Sequence, residues 1–314
     1  MVVGAGLTGL IAGSMLRDQV SRVIDGAATV PNNHSAWLRF RSSVVGDAVG
    51  IPFEKVDVIK SIDHPTNPVA DVIQYSLKTT GKAQLRSITT AGPEVVQRYI
   101  APQDFINRLA TQLGPKLELG TYLVPSMLPD PEGEPIISTM PMPSLMAALG
   151  WEPKSKFTSI EGWTISCDLP KQFDICASLY IPNPNSLPYR VSITKRRLII
   201  EISSCTDAAF TEGRKFQLAV LEAVDALGIA EYKGFIMEHA EVKPMKYAKI
   251  NPIDEDERKR FILWATEEKG VYSLGRFATW RPGLLLDDIV NDVRMIQKMV
   301  AGDKSAQYSA RKAQ

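Results

Sequence analysis

The sequence has little cysteine and little histidine, three of each in 314 residues. Cys167, Cys176 and Cys205 form no C-x-x-C pair, and an odd number cannot all pair within one chain. This argues against a disulfide framework and a cysteine-held zinc, and points to a reducing, cytoplasmic setting. His34, His64 and His239 are too scattered to suggest a metal cluster, so no metal is expected. Long apolar runs are missing as well. No stretch reaches the roughly 20 residues of a membrane-spanning helix, and no basic leader precedes the first apolar residues. Nor is there an excess of one charge: 36 Lys and Arg face 35 Asp and Glu, a net +1. That removes the global case for a nucleic-acid or membrane surface, although Lys195-Arg196-Arg197 leaves a local basic patch open. The partner expected is a small molecule or a nucleotide-linked substrate.

What is present begins at the amino end. Met1–Val3 is a short apolar run, and a start one or two residues upstream would give a strand of ordinary length. It leads into Gly4-Ala5-Gly6-Leu7-Thr8-Gly9, the spacing G-x-G-x-x-G. A helical stripe follows through Leu10, Ile11 and Met15, then the apolar run Arg22-Val23-Ile24 and the acid Asp25. Strand, glycines, helix, strand and acid in this order form a dinucleotide-binding fingerprint. Gly4 serves the tight turn, Gly6 the close approach of a pyrophosphate, and Gly9 the packing of helix on strand. The helix start offers unpaired N–H groups to that anion. Asp25 is placed to accept from ribose hydroxyls, and its charge disfavours a 2′-phosphate.

The following loop carries His34, a candidate donor to a cofactor ring carbonyl, and leads to Arg39 and Arg41, one of which is a candidate partner for cofactor phosphate. Residues 51–100 alternate in short strand-like runs, Phe53–Ile59 and Val69–Leu77. A helix is predicted from Pro102 onward with Phe105, Ile106, Leu109 and Leu113 as its stripe, then a strand Leu117–Val124. Pro135–Ser138 reads as a buried strand ending in Thr139 and Pro141, which places both at a carboxyl sheet end on the cofactor side. Trp163–Leu169, Phe173–Tyr180, Tyr189–Ile193 and Arg197–Ser203 predict an antiparallel sheet. A helix to Leu227 follows, closed by Gly228. Near the carboxyl end, the strand Val271–Leu274 turns at Gly275-Arg276, passes Trp280-Arg281-Pro282-Gly283 and enters a helix from Leu284 to Val300.

The fold class predicted is α/β: a Rossmann-like dinucleotide-binding domain with an inserted antiparallel-sheet substrate domain. The first comprises residues 1–50, 98–150 and 265–302, the second 51–97 and 151–264, and 303–314 form a tail. A nicotinamide enzyme needs no device at the far carboxyl end. A flavoprotein needs both ends, the second lying along the flavin.

The fingerprint with Asp25, the segments IISTMPMPSLM and YIPNPNSLPYRVS, and the closing YSLGRFATWRPGLLLDD resemble the FAD-dependent amine oxidase superfamily, nearest its UDP-galactopyranose mutase branch. The resemblance implies FAD, held without a covalent bond because the closing motif has no cysteine. It implies that Gly4, Ala5, Gly6, Leu7, Thr8, Gly9 and Asp25 hold the ADP part, with Leu123 beside adenine. Gly275, Arg276, Gly283, Leu284 and Leu285 would serve the ribityl and flavin side. Arg190, with Tyr189 next to it, matches a mutase substrate position, and Arg281 with Trp280 is a further substrate candidate. The compact length resembles that of bacteriophage-encoded members. Two departures stand out: VPNNHSAW replaces a Gly-Gly pair after the ribose acid, and Trp280–Gly283 replaces a tyrosine–aspartate segment. The function expected is oxidation of a C–N bond in an amine or amino-acid-type substrate, including an adduct on a nucleotide or DNA base. A mutase-like action on a nucleotide sugar and a non-catalytic dinucleotide-binding role are the alternatives.

Overall fold

The computed structural model describes residues 1–31, 37–83, 93–124, 127, 134–203 and 213–302. In chain order the elements begin β1 (Val2–Val3), α1 (Leu7–Met15), β2 (Val23–Asp25), β3 (Arg39–Phe40), α2 (Val44–Val49) and β4 (Glu54–Ile62). There follow α3 (Pro68–Thr80), β5 (Glu94–Ile100), α4 (Phe105–Leu113), β6 (Leu117–Leu119), β7 (Ile136–Ser138) and α5 (Met142–Leu149). The middle supplies β8 (Ser159–Asp168), β9 (Cys176–Tyr180), β10 (Pro188–Thr194), β11 (Arg197–Ser203), α6 (Gly213–Leu227) and α7 (Lys233–His239). The last elements are β12 (Glu241–Ile250), α8 (Glu255–Lys269), β13 (Val271–Ser273) and α9 (Ile289–Val300).

Two sheets organise the molecule. The smaller is five-stranded, ordered β13-β7-β1-β2-β6, with every pair parallel. Its strands are short and apolar because helices cover both faces, which is where parallel sheets are stable. Leu10, Ile11, Leu109, Val293 and Ile296 pack on one side, and Met142, Leu145, Phe261 and Ile262 on the other. The chain leaves β1 toward β2 on one side and later returns to β7 on the other. The carboxyl ends of β1 and β7 therefore flank the crevice in which such sheets bind ligands.

The larger sheet has eight strands ordered β12-β8-β11-β10-β9-β4-β5-β3, antiparallel except for β4 beside β9. Alternation decides its faces. Val191, Ile193, Leu198, Ile200 and Ile202 point toward α6 and α7 and form a second core. Arg190, Ser192, Glu201 and Ser178 point the other way.

Three sequence expectations need correction. Residues 69–77 are helical, because Asn67 caps the Val69 and Ala70 N–H groups, Pro68 suits the first turn, and Gly81 ends α3 at φ +68°. The strand from Leu117 stops at Leu119, since Gly120 turns the chain at φ +70°. The last helix starts at Ile289, after a short helical turn at Leu286–Asp288. β3 pairs with β5 in the larger sheet, and α8 packs with Met1, Val3 and Ile136 in the core of the smaller sheet.

α3 is fixed to the larger sheet by Lys78. Its ammonium donates to the carbonyls of Ile181 at 3.1 Å, Asn183 at 2.7 Å and Pro188 at 2.7 Å, pinning the β9–β10 connection. Tyr75 of the same helix meets the Tyr180 ring edge-on at 5.5 Å.

Candidate cofactor and substrate site

The glycine turn after β1 shows three different uses of a missing side chain. Gly4 has φ +98°, and a Cβ there would lie 2.2 Å from Thr139 Oγ1. A Cβ on Gly9 would lie 1.8 Å from the Gly4 carbonyl oxygen, so α1 can pack this close to the turn only with glycine. Gly6 is the opposite case. Its φ of −64° suits any residue, and a Cβ would meet no protein atom within 4 Å. Space at that point is open, at the head of a helix whose first turn has no side-chain cap and no acid. This is where an anion is favoured.

Asp25 is tied to the turn. Its Oδ2 accepts from the Ala5 N–H at 2.6 Å and its Oδ1 from Ala27 N–H at 2.8 Å. A carboxylate has about four acceptor positions, so two remain for hydroxyl donors. Ala5 and Leu7 are buried in the core and act through the backbone. Thr121 N–H donates to the Asp25 carbonyl at 2.9 Å, which lays the Thr121–Leu123 segment beside β2, where Leu123 packs with the Ile24 cluster. Thr139 supports the turn from beneath, its hydroxyl reaching the carbonyls of Val3 at 3.1 Å and Gly4 at 3.3 Å. Pro141 opens α5. His34 lies outside the described residues.

The carboxyl-terminal turn comes to the same place. Gly275 has φ +92°, and a Cβ on it would lie 2.8 Å from Thr8 Cγ2. Two residues more than 260 positions apart thus touch across the top of the smaller sheet. Phe277 carbonyl accepts from Met142 N–H at 2.9 Å, joining this turn to the start of α5. Arg276 sits half-buried at the junction. Gly283 is exposed, while Leu284 and Leu285 are half-buried. Asp287 closes the arrangement by accepting from Ser42 N–H at 2.9 Å.

Trp280 and Arg281, the further substrate candidates, border one open pocket. Trp280 is 2% exposed, its indole N–H donates to the Asn251 carbonyl at 2.8 Å, and Phe157 meets its ring at 4.9 Å. It is a core residue that also borders the pocket lined by Arg281. Arg281 pairs with Asp292 at 2.9 Å beside α9, in an open pocket of about 420 Å³ shared with Arg258 and Leu284.

On the larger sheet, Arg190 is also committed. Its Nε and Nη2 donate to the two oxygens of Glu201, the second at 2.7 Å, and Tyr189 Oη donates to Glu201 at 2.9 Å. Burial alone would raise the Glu201 carboxyl, but the Arg190 guanidinium outweighs it and holds the group below its ordinary value. Burial and the Glu201 charge push the Tyr189 phenol well up. Glu201 is therefore a fixed anion that anchors Arg190, and Arg190 keeps 35% of its side chain exposed. Sequence reading missed Glu201, yet the signal was there. The tight turn at Lys195-Arg196 pairs Thr194 with Arg197, and the same register sets Arg190 against Glu201. Arg39, expected at cofactor phosphate, instead reaches Ser178 on β9 at 2.8 Å. Among the described residues, no group of three His, Cys, Asp or Glu side chains could hold a metal ion. No described helix is long and apolar enough to cross a membrane.

No family model matches this chain, and no curated protein matches it. Solved structures do. A putrescine oxidase variant redesigned in its cofactor binding matches with a TM-score of 0.59 at 11% identity, over 97% of this chain and 98% of that one. The 2-methyl-3-hydroxypyridine-5-carboxylic acid oxygenase matches at 0.58 and 11% identity, over 98% and 84%. A tryptophan C-6 flavin-dependent halogenase matches at 0.54 and 10% identity, over 99% and 74%. The fold is that of FAD-binding flavoenzymes.

Proposed function

We propose that the chain is an FAD-dependent oxidoreductase acting on a C–N bond of an amine or amino-acid-type substrate, including an amino-acid adduct on a nucleotide or DNA base. The observation that carries this reading is the contact of Gly275 with Thr8, which brings a second turn to the head of α1. A dinucleotide alone needs the first turn; an elongated flavin dinucleotide makes use of both.

The residues present fit that group. The open space at Gly6 and the uncapped start of α1 would take the pyrophosphate, with Asp25 and Leu123 on the adenosine side. Gly275, Arg276 and the Gly283–Leu285 backbone would serve the flavin side. Bound FAD supplies a two-electron, hydride-accepting centre. The chain's own contribution is to orient the substrate and exclude water. Glu201, held ionised by three hydrogen bonds, anchors Arg190 and is not available as a proton acceptor.

The test is the visible spectrum of the purified protein with mass identification of any released cofactor, followed by anaerobic addition of amines and amino acids. Yellow protein that bleaches with one of them supports the proposal. Colourless protein that takes up no FAD overturns it. Yellow protein that bleaches with none, yet turns over a UDP-sugar after dithionite, replaces it by the mutase reading.

A further inference from the structure

Arg39 and Phe40 are strand neighbours and point to opposite faces. Phe40 enters the core of the smaller sheet, and Arg39 turns onto the polar face of the larger sheet. There Nη2 donates to Ser178 Oγ at 2.8 Å, and Ser178 Oγ lies 3.3 Å from Ser192 Oγ on the next strand. A guanidinium has five N–H donors. The Nη1 group of Arg39 is buried and has no hydrogen-bond partner among the described residues. Burying a charged donor unpaired is unfavourable, and such groups in folded proteins call for an explanation.

The local charge supplies one. Burial lowers the Arg39 guanidinium, and the nearby Arg190 lowers it further. Glu201, the carboxylate that could compensate, is already held by Arg190 and Tyr189. Lys60, which stands opposite Ser178 in the sheet register, is lowered by burial and by the cations Arg98, Arg41 and Arg39, with Glu94 acting against them. This face therefore carries more positive charge than its own acids neutralise. An acceptor with two or more oxygens is the group that would complete it.

We propose that Arg39 Nη1, with the hydroxyls of Ser178 and Ser192, seats an oxyanion of the substrate, a carboxylate or a phosphate. The inference rests on the flavoenzyme reading and narrows its substrate to anionic members. It places Arg39 with the substrate and not with the cofactor, because its hydrogen bond lies on β9 of the larger sheet, whereas the proposed seat for pyrophosphate is at α1 on the other sheet.

Calorimetric titration of the full chain as purified, with benzoate and separately with inorganic phosphate, tests this. Flavin per chain is read from absorbance in every variant. One of the two ions should bind the wild type at one site, and which one distinguishes a carboxylate from a phosphate substrate. Arg39→Met should weaken that binding at least about tenfold, the scale of one lost charge-assisted hydrogen bond, with flavin content unchanged. Arg39→Lys should fall between, and Arg294→Met, a charge lost from the exposed face of α9, should bind as the wild type does. Where Arg39→Met does not fold, Arg39→Lys and Ser178→Ala carry the comparison. A wild type that binds neither ion, or variants that bind as tightly as it does, overturns the proposal. Loss of flavin with undiminished ion binding assigns Arg39 to the cofactor and also overturns it. Absence of flavin from the wild type sinks the reading of the preceding section, and the titration still decides the seat.

Discussion

At the residue scale the glycine turn separates a role in folding from a role in binding. Gly9 and Gly4 touch protein where a side chain would stand, and Gly6 touches none. Gly9→Val should therefore destabilise the protein by about 1–3 kcal/mol or more, through forced overpacking, as read by denaturant unfolding. Gly6→Val should unfold at the same denaturant concentration as cofactor-free wild type while failing to take up FAD. A Gly6→Val protein isolated with full flavin would remove the turn from the binding site. The sequence could name these glycines from their spacing. It could not say that Gly4 is bound by packing, because that depends on Thr139, far along the chain.

At the element scale the β10–β11 hairpin carries the buried pair Arg190–Glu201. Removing one partner leaves a buried charge uncompensated, so Glu201→Gln should destabilise by about 3–5 kcal/mol. The pH dependence follows from the sign of the shift. Glu201 lies below its ordinary 4.5 in the folded chain, so its contribution is present above pH 4.5 and lost as pH falls toward the folded value. The variant should show a shallower loss of stability with acid across that window in thermal unfolding from pH 7 to 3. An equally steep acid limb would show that other carboxylates govern it. The α3 helix offers a second case. Lys78→Met takes its donor from the buried carbonyls of Ile181 and Pro188, and each buried unpaired group costs about 1–3 kcal/mol. Its melting temperature should drop well below that of Lys82→Met, whose parent residue is exposed. Period-two reading missed α3 because its buried positions include Asp71, Ser76, Lys78 and Thr79, polar residues that tertiary partners satisfy and composition assigns to the surface.

At the scale of the whole molecule, the two sheets are joined by segments that cross between them more than once. The core of the smaller sheet takes its buried residues from 1–51, 101–113, 136–146, 250–265 and 271–296. A ligand lying across both ends of such a chain stabilises it by mass action, about 2.7 kcal/mol at a hundred times its dissociation constant. Stripping the flavin and returning FAD should raise the melting temperature in proportion to the logarithm of added FAD. A melting temperature indifferent to FAD would mean that the contact of Gly275 with Thr8 serves packing alone.

From the order of residues alone came the parallel β–α–β start, its glycine turn and acid, the antiparallel middle and the strand–turn–helix at the end. These are local: spacing, alternation and turn chemistry state them within twenty or so positions. The meeting of the two ends, the capture of Arg190 by Glu201, the burial of Trp280 and the turning of Arg39 onto Ser178 were settled only in three dimensions. A side chain's partner depends on which strands come to lie side by side, and long-range packing makes that choice.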